Sequence, residues 1–176
     1  MQRDELVELL LGIDEETWLV LGERFPRPRV VIVGGAAFLL RDITPRKTTH
    51  DVDIYEADEV VSEILGRYPA LNGGVAAYAD QIPYNFEDRL EPLEIGTRAI
   101  EFVMPSLEDL VVMKLYAERP NDIQDMDGAV SSGELDWNLL EELVYGSGEA
   151  KASALSVRRY SEMTEAYERL KARCKR

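Results

Sequence analysis

Asp51 and Asp53 are the residues of this chain whose type and spacing most directly promise chemistry. The stretch Asp51-Val52-Asp53-Ile54-Tyr55 alternates polar and apolar as a strand does, so the two carboxylates leave the same face. They can then share one or two hard divalent ions, Mg²⁺ or Mn²⁺, through oxygen ligands. Upstream, the apolar run Val30-Val31-Ile32-Val33 ends in Gly34 and Gly35, where a helix begins. Glycine at such a turn lets backbone N–H groups approach a phosphate with no side chain in the way. Between the glycines and the acids lies a basic loop, residues 45–50. A buried strand, a Gly-Gly turn, a basic loop and paired acids are the parts that metal-assisted phosphoryl chemistry needs.

Composition narrows the alternatives. Cys174 is the only cysteine and His50 the only histidine, so an internal disulfide and a zinc site of Cys and His ligands are both excluded. His50 neighbours the paired acids, but strand alternation turns it away from them, and it takes no part in the expected chemistry. The net charge of −14 disfavours binding of long nucleic acid across the whole surface. The charge is uneven: from Lys151 onward eight Lys or Arg face three Glu, a net of +5, which leaves −19 for the rest. Only that tail offers a phosphate-binding face. No apolar run approaches the roughly 20 residues a bilayer demands, and Met1-Gln2-Arg3-Asp4-Glu5 lacks the order of a signal peptide, so a cytoplasmic protein with no membrane contact is expected.

Gly34-Gly35-Ala36-Ala37 followed by Lys47-Thr48-Thr49-His50-Asp51-Val52-Asp53 resembles the core signature of the DNA polymerase beta superfamily of nucleotidyltransferases. The likeness is strongest to bacterial minimal forms and to the toxin-type nucleotidyltransferases of abortive-infection (type IV) systems. Lys114, Arg119, Asp122 and Asp125 match a later part of the pattern in order and approximate spacing. The resemblance covers about residues 30–130. Three departures stand out: Gly35 replaces a small hydroxyl residue, Lys47 stands where Arg is commoner, and no motif announces a third carboxylate. Glu101, on a strand expected to neighbour the Asp51 strand, is the candidate for that third acid.

The resemblance implies that Asp51, Asp53 and Glu101 bind the metal and form the catalytic set. It implies that Gly34, Gly35, Lys47, Thr49 and Lys114 contact the nucleotide, with Lys114 on the β- and γ-phosphates. The implied activity is Mg²⁺- or Mn²⁺-dependent transfer of a nucleoside monophosphate from an NTP to an RNA or protein acceptor, in a toxin–antitoxin or stress system with a partner protein. Two alternatives stay open: a degenerate fold kept as a binding or antitoxin-like regulatory module, and a small-molecule transferase of the aminoglycoside type. Whether three carboxylates converge separates enzyme from module. Residue by residue, blander roles compete. Glu101 reads equally as a surface residue, Lys114 as an i,i+4 partner of Glu118, and Asp122 and Asp125 as acids favoured at a helix start.

The elements that must position these residues are legible in outline. An α+β fold is expected, with a mixed β-sheet flanked by helices and a helical C-terminal region. One compact domain suits 176 residues: a core over residues 1–130 and a helical extension over residues 131–176 packed on it. Helices are predicted over residues 4–11 and 15–24, with Asp14 capping the second. Strands follow at 29–33 and 51–55, with helices over 36–40 and 57–68. Residues 69–91 are the least readable, with Gly73, Gly74 and Pro83 marking loops around a short strand. A strand pair is predicted at 93–95 and 99–103, joined through Gly96. Ser106 to Asp109 has the form of a capping box for a helix over 107–118. Three more helices are predicted over 122–130, 136–145 and 152–173, the last two separated by Gly146, Ser147 and Gly148. The stripe Tyr160, Met163, Tyr167, Leu170 on the last reads as packing.

Overall fold

The computed structural model describes residues 1–73, 79–146 and 148–174. The fold is α+β: five strands among the described residues form one open mixed sheet, with helices on it and a helical region after it. The strands are β1 (Arg29–Val33), β2 (Val52–Ala57), β3 (Leu71–Asn72), β4 (Glu91–Pro92) and β5 (Glu101–Met104), in the order β3-β2-β1-β5-β4. The chain resolves into two compact units. The first holds Met1–Asp42, Lys47–Ala76 and Leu90–Met104, and the second Ile43–Arg46, Ala77–Arg89 and Pro105–Arg176. The helical unit takes in the whole chain from Pro105 onward, residues 131–176 included.

In the first unit β1 is the central strand. Val30, Val31, Ile32 and Val33 are all buried, as expected of β-branched residues covered on both faces. β2 runs antiparallel to β1 and β5 runs parallel to it. Helix α1 (Arg3–Leu21) packs on α2 (Gly34–Leu40) and on α3 (Glu59–Leu65). β3 extends β2 in parallel and β4 extends β5 antiparallel. Gly73 is described and Gly74 lies outside the described residues.

Residues 4–11 and 15–24 do not form two helices. They form the single α1, and Asp14 lies within it, 4% exposed, where it caps nothing. Its Oδ1 accepts the N–H groups of Ala99 and Ile100, both at 2.8 Å, and its Oδ2 accepts that of Arg98 at 3.0 Å. A mid-helix carboxylate is retained there because it satisfies three donors on the approach to β5 that no strand partner takes.

In the second unit α4 (Leu107–Ala117) is buried on nearly all sides and packs on α5 (Pro120–Ser132), α6 (Trp137–Glu141) and α8 (Val157–Cys174). Ser106 caps α4 as expected, accepting the Asp109 N–H at 3.2 Å. The Asp109 carboxylate does not reach back to the Ser106 backbone. It accepts from the Ser106 hydroxyl and is held bidentate by Arg89, which also pairs with Glu149. Pro120 opens α5 at a position where a missing N–H costs nothing. After α6 a single wide turn, Glu142–Gly146, leads to α7 (Glu149–Ser153), so the helix expected over 152–173 is divided between α7 and α8. Ser147 lies outside the described residues. Met163, Tyr167 and Leu170 are fully buried on α8, as the stripe predicts, and Tyr160 donates to the Val144 carbonyl at 2.8 Å.

Asp14 gives the fold its sharpest test. Asp14→Ala strands three N–H groups, two of them buried, and should lower stability by about 3 kcal/mol or more, since each orphaned donor costs about 1–3 kcal/mol. Asp14→Asn keeps an oxygen for Ala99 and Ile100 and should cost clearly less. Urea unfolding of both variants measures this, and equal losses would contradict it.

Candidate functional site

Strand register sets the site. β1 pairs with β2 so that Val33 lies opposite Asp53, at the end where α2 begins. Val52 and Ile54 are buried in the sheet, while Asp53 is half-buried and Asp51, just before the strand, is exposed. Gly34 has φ +68°, a left-handed conformation that side-chain-bearing residues rarely adopt. A Cβ at that position would drive into the Oδ2 of Asp53. Gly34 is therefore required twice, by its backbone angle and by the carboxylate pressed against its Cα. This contact brings the Gly-Gly turn and the acidic strand together.

The other oxygen of Asp53, Oδ1, accepts from the Asn72 side-chain amide at 3.0 Å, across the β2–β3 pairing that sets Asp53 beside Asn72. Thr49 is buried and its hydroxyl donates to the Asp51 carbonyl oxygen at 2.9 Å, so it shapes the turn into β2. Lys47 and His50 are exposed. The structure thus brings Gly34, Asp53 and Asn72 into direct contact, with Thr49 holding Asp51.

Glu101 is not brought to this group. On the other side of β1 it lies opposite Arg29, at the end away from Val33, and it pairs with Arg29 at 3.7 Å. Four residues of strand separate the two ends, about 13 Å at 3.3 Å per residue. Two carboxylates on one ion each sit about 2.0–2.6 Å from it, so Glu101 cannot join Asp53 there. Ile100 and Phe102 are buried and Glu101 between them is half-buried, while the end of the sheet at which Glu101 sits is set by long-range pairing with β1. Among the described residues no three His, Cys, Asp or Glu side chains gather to hold a metal. The residues outside the description contain none of these types.

Any divalent ion here would have a smaller donor set. Mg²⁺ is commonly held by one or two carboxylates with phosphate and water completing its octahedron, and the acids at this end of the sheet are Asp53, half-buried on β2, and Asp51, exposed just before it.

Lys114 belongs to the helical unit. It is 6% exposed, with Nζ 2.7 Å from Asp122 Oδ1 and 2.9 Å from Asp125 Oδ2. Glu118 pairs instead with Arg169. Asp125 also accepts a bidentate pair from Arg46, at 2.7 and 2.8 Å, and the Thr44 hydroxyl at 2.8 Å. One helical turn on, a Cβ on Gly128 would strike the Ile43 carbonyl oxygen, so glycine lets residues 43–46 lie close against α5. Asp122 caps the start of α5 through the Arg119 N–H and side chain. Burial pushes its carboxyl up, but Arg119 and Lys114 outweigh burial and hold it below the ordinary value. Its stabilising contribution is fully present above the unfolded carboxylate range and is lost as pH falls through the lowered value. The basic tail is largely neutralised within its own unit: Arg158 and Arg159 pair with Glu162, Lys171 with Glu141 and Arg173 with Asp127. Lys175 and Arg176 lie outside the described residues.

Sequence reasoning missed Asn72 and Arg46, and it gave Asp14 the role of a helix cap that the structure does not show. Asn72 precedes two glycines and reads as loop, and only the short β3 pairing puts it beside Asp53.

Residues 8–175 match the model of one protein family, described as nucleotidyltransferase of unknown function (DUF6036). No curated protein and no solved structure matches the chain. Among the described residues no helix is long and apolar enough to cross a membrane.

Two substitutions test these placements. Gly34→Ala should cost about 1–3 kcal/mol from the strained backbone alone and should displace the Asp53 carboxylate. Lys114→Met should cost about 3 kcal/mol, the low end for breaking a buried ion pair, because both acids keep an arginine. Chemical unfolding reads both, and a neutral Lys114→Met would show that its charge carries no structural weight.

Proposed function

We propose, from the premise that this chain belongs to that nucleotidyltransferase family, that the Gly34 and Asp53 end of its sheet binds a nucleoside triphosphate as its Mg²⁺ salt. The reading rests on the close approach of the Asp53 carboxylate to Gly34, where only a missing Cβ leaves room for it, so that the Gly-Gly turn and a carboxylate meet at one end of the sheet. In this reading Gly34 and Gly35 admit phosphate oxygens to the backbone, and Asp51 and Asp53 hold the ion. Thr49 keeps the Asp51 turn in shape, and Lys47 adds positive charge at the rim. Mg²⁺, or Mn²⁺ in its place, would be held by Asp51 and Asp53 and would screen the negative charge of the phosphate.

What the site does with the nucleotide depends on the missing third acid. With Glu101 at the other end of the sheet, no third acid among the described residues joins Asp51 and Asp53 there, which leaves the proton of an acceptor hydroxyl without the base expected for it. The geometry therefore favours a nucleotide-binding or regulatory module without turnover, of the kind an antitoxin-like partner would be. The family description favours the second reading, transfer of a nucleoside monophosphate to an RNA or protein acceptor in a toxin–antitoxin or stress system.

Thermal unfolding with Mg²⁺ and each NTP tests binding. A ligand at a hundredfold excess over Kd stabilises the native state by about 2.7 kcal/mol, so a clear rise in Tm is expected, abolished by Asp53→Asn. Incubation with α-labelled NTP tests turnover. No labelled acceptor is expected from the module, whereas label on RNA or protein that Asp53→Asn removes would establish the transferase. An unchanged Tm shift in Asp51→Asn and Asp53→Asn would refute the metal assignment.

A further inference from the structure

Leu155 and Val157 flank Ser156, which caps α8: its hydroxyl accepts the Arg159 N–H at 3.2 Å and its carbonyl the Tyr160 N–H at 3.0 Å. A large apolar residue just before such a cap often folds back on the residue at the fourth helical position, here Tyr160. Leu155 does not. It is 79% exposed, as is Val157, and the Tyr160 ring instead has the Lys151 ammonium over it at 6.0 Å. Single exposed aliphatics are ordinary on a protein surface. Two within three residues, one of them turned away from its local partner, make a patch. The patch is also basic in an acidic chain. Residues 150–161 hold Lys151, Arg158 and Arg159 and no acid, against a net charge of −14 overall. Lys151 is exposed and has no carboxylate partner among the described residues. Arg158 and Arg159 share Glu162, at 2.8 and 3.5 Å, and the Arg158 side chain is 87% exposed, so its pairing is weak and exchangeable.

We propose that Lys151, Leu155, Val157 and Arg158 form a docking surface for an acidic, aliphatic segment of a partner protein. Its apolar side chains rest on Leu155 and Val157, and its carboxylates meet Lys151 and Arg158. Charge complementarity selects an anionic occupant. The exposed apolar groups are aliphatic, whereas single-stranded nucleic acid stacks its bases on aromatic rings. An anionic lipid surface meets the charge of the whole chain, and −14 repels it. A short peptide segment meets only the local charge, because salt screens charges beyond about 8 Å. The proposal uses none of the residues given to the nucleotide and stands independently of that reading.

The test is fluorescence anisotropy of a labelled amphipathic peptide of Leu and Glu titrated with the full chain, with a peptide of Leu and Lys in the same pattern as control. Two double variants are compared with the wild type: Leu155→Ser with Val157→Ser, and Lys151→Glu with Arg158→Glu. All four positions are exposed or half-exposed, and thermal unfolding verifies that each variant keeps the fold. The expected result is saturable binding of the Glu peptide and none of the Lys peptide, weakened about tenfold or more by each double variant. Added salt should weaken it further. Both losses are required. No binding of the Glu peptide, equal binding of the two peptides, or binding that either double variant retains overturns the proposal. Two other occupants have their own signatures: self-association in light scattering that the Ser variant abolishes, or binding to phosphatidylserine vesicles. Either of these in place of peptide binding assigns the patch to a second copy or to lipid and overturns the acidic partner.

Discussion

The register of β1 against its two neighbours is the constraint on which the site depends. Val33 lies opposite Asp53 and Arg29 lies opposite Glu101, so the antiparallel and parallel partners present their acids at opposite ends of one strand. A side chain cannot be moved along a paired strand without breaking the ladder that holds it. One end accordingly gathers Gly34, Asp53 and Asn72, and the other closes on a surface ion pair between Arg29 and Glu101. The parallel partner is itself anchored from α1, where Asp14 takes the N–H groups of residues 98–100.

The helical unit shows how an acidic chain tolerates buried charge. Asp109, Asp122 and Asp125 are essentially inaccessible, and each is matched by a cation: Asp109 by Arg89, Asp122 by Arg119 and Lys114, and Asp125 by Arg46 and Lys114. Removing one member would leave its partner buried and uncompensated, which is why such pairs resist single substitution more than they add to stability. The polar pattern Lys114, Arg119, Asp122, Asp125 that suggested phosphate chemistry is, within this unit, the framework of α4 and α5. Asp125 also holds residues 43–46, through the Thr44 hydroxyl and the Arg46 guanidinium, a stretch of chain that belongs to this unit.

Local pattern made much of the fold legible. The β-branched run before Gly34, the alternation after Asp51 and the serine cap of α4 all sit where short-range chemistry places them. What stayed hidden was long-range. Asp14 looks like a helix cap because its three donors are more than eighty residues away. Lys114 looks like a partner of Glu118 because helical spacing says so, whereas Asp122 and Asp125 lie beyond a turn that spacing does not see. Alternation gave Glu101 a face, but the end of the sheet comes from pairing with β1. Asn72 carried no signal, since a two-residue strand ahead of glycines has no period to read.

We propose that this end of the sheet carries one divalent ion on the triphosphate of a nucleotide. It is tested most directly by anomalous diffraction from crystals grown with Mn²⁺ and a non-hydrolysable NTP analogue. The account predicts one Mn²⁺ peak within bonding distance of Asp53, with triphosphate density against Gly34 and Gly35. Two peaks at that end, or a nucleotide bound elsewhere with no ion on Asp53, would contradict it.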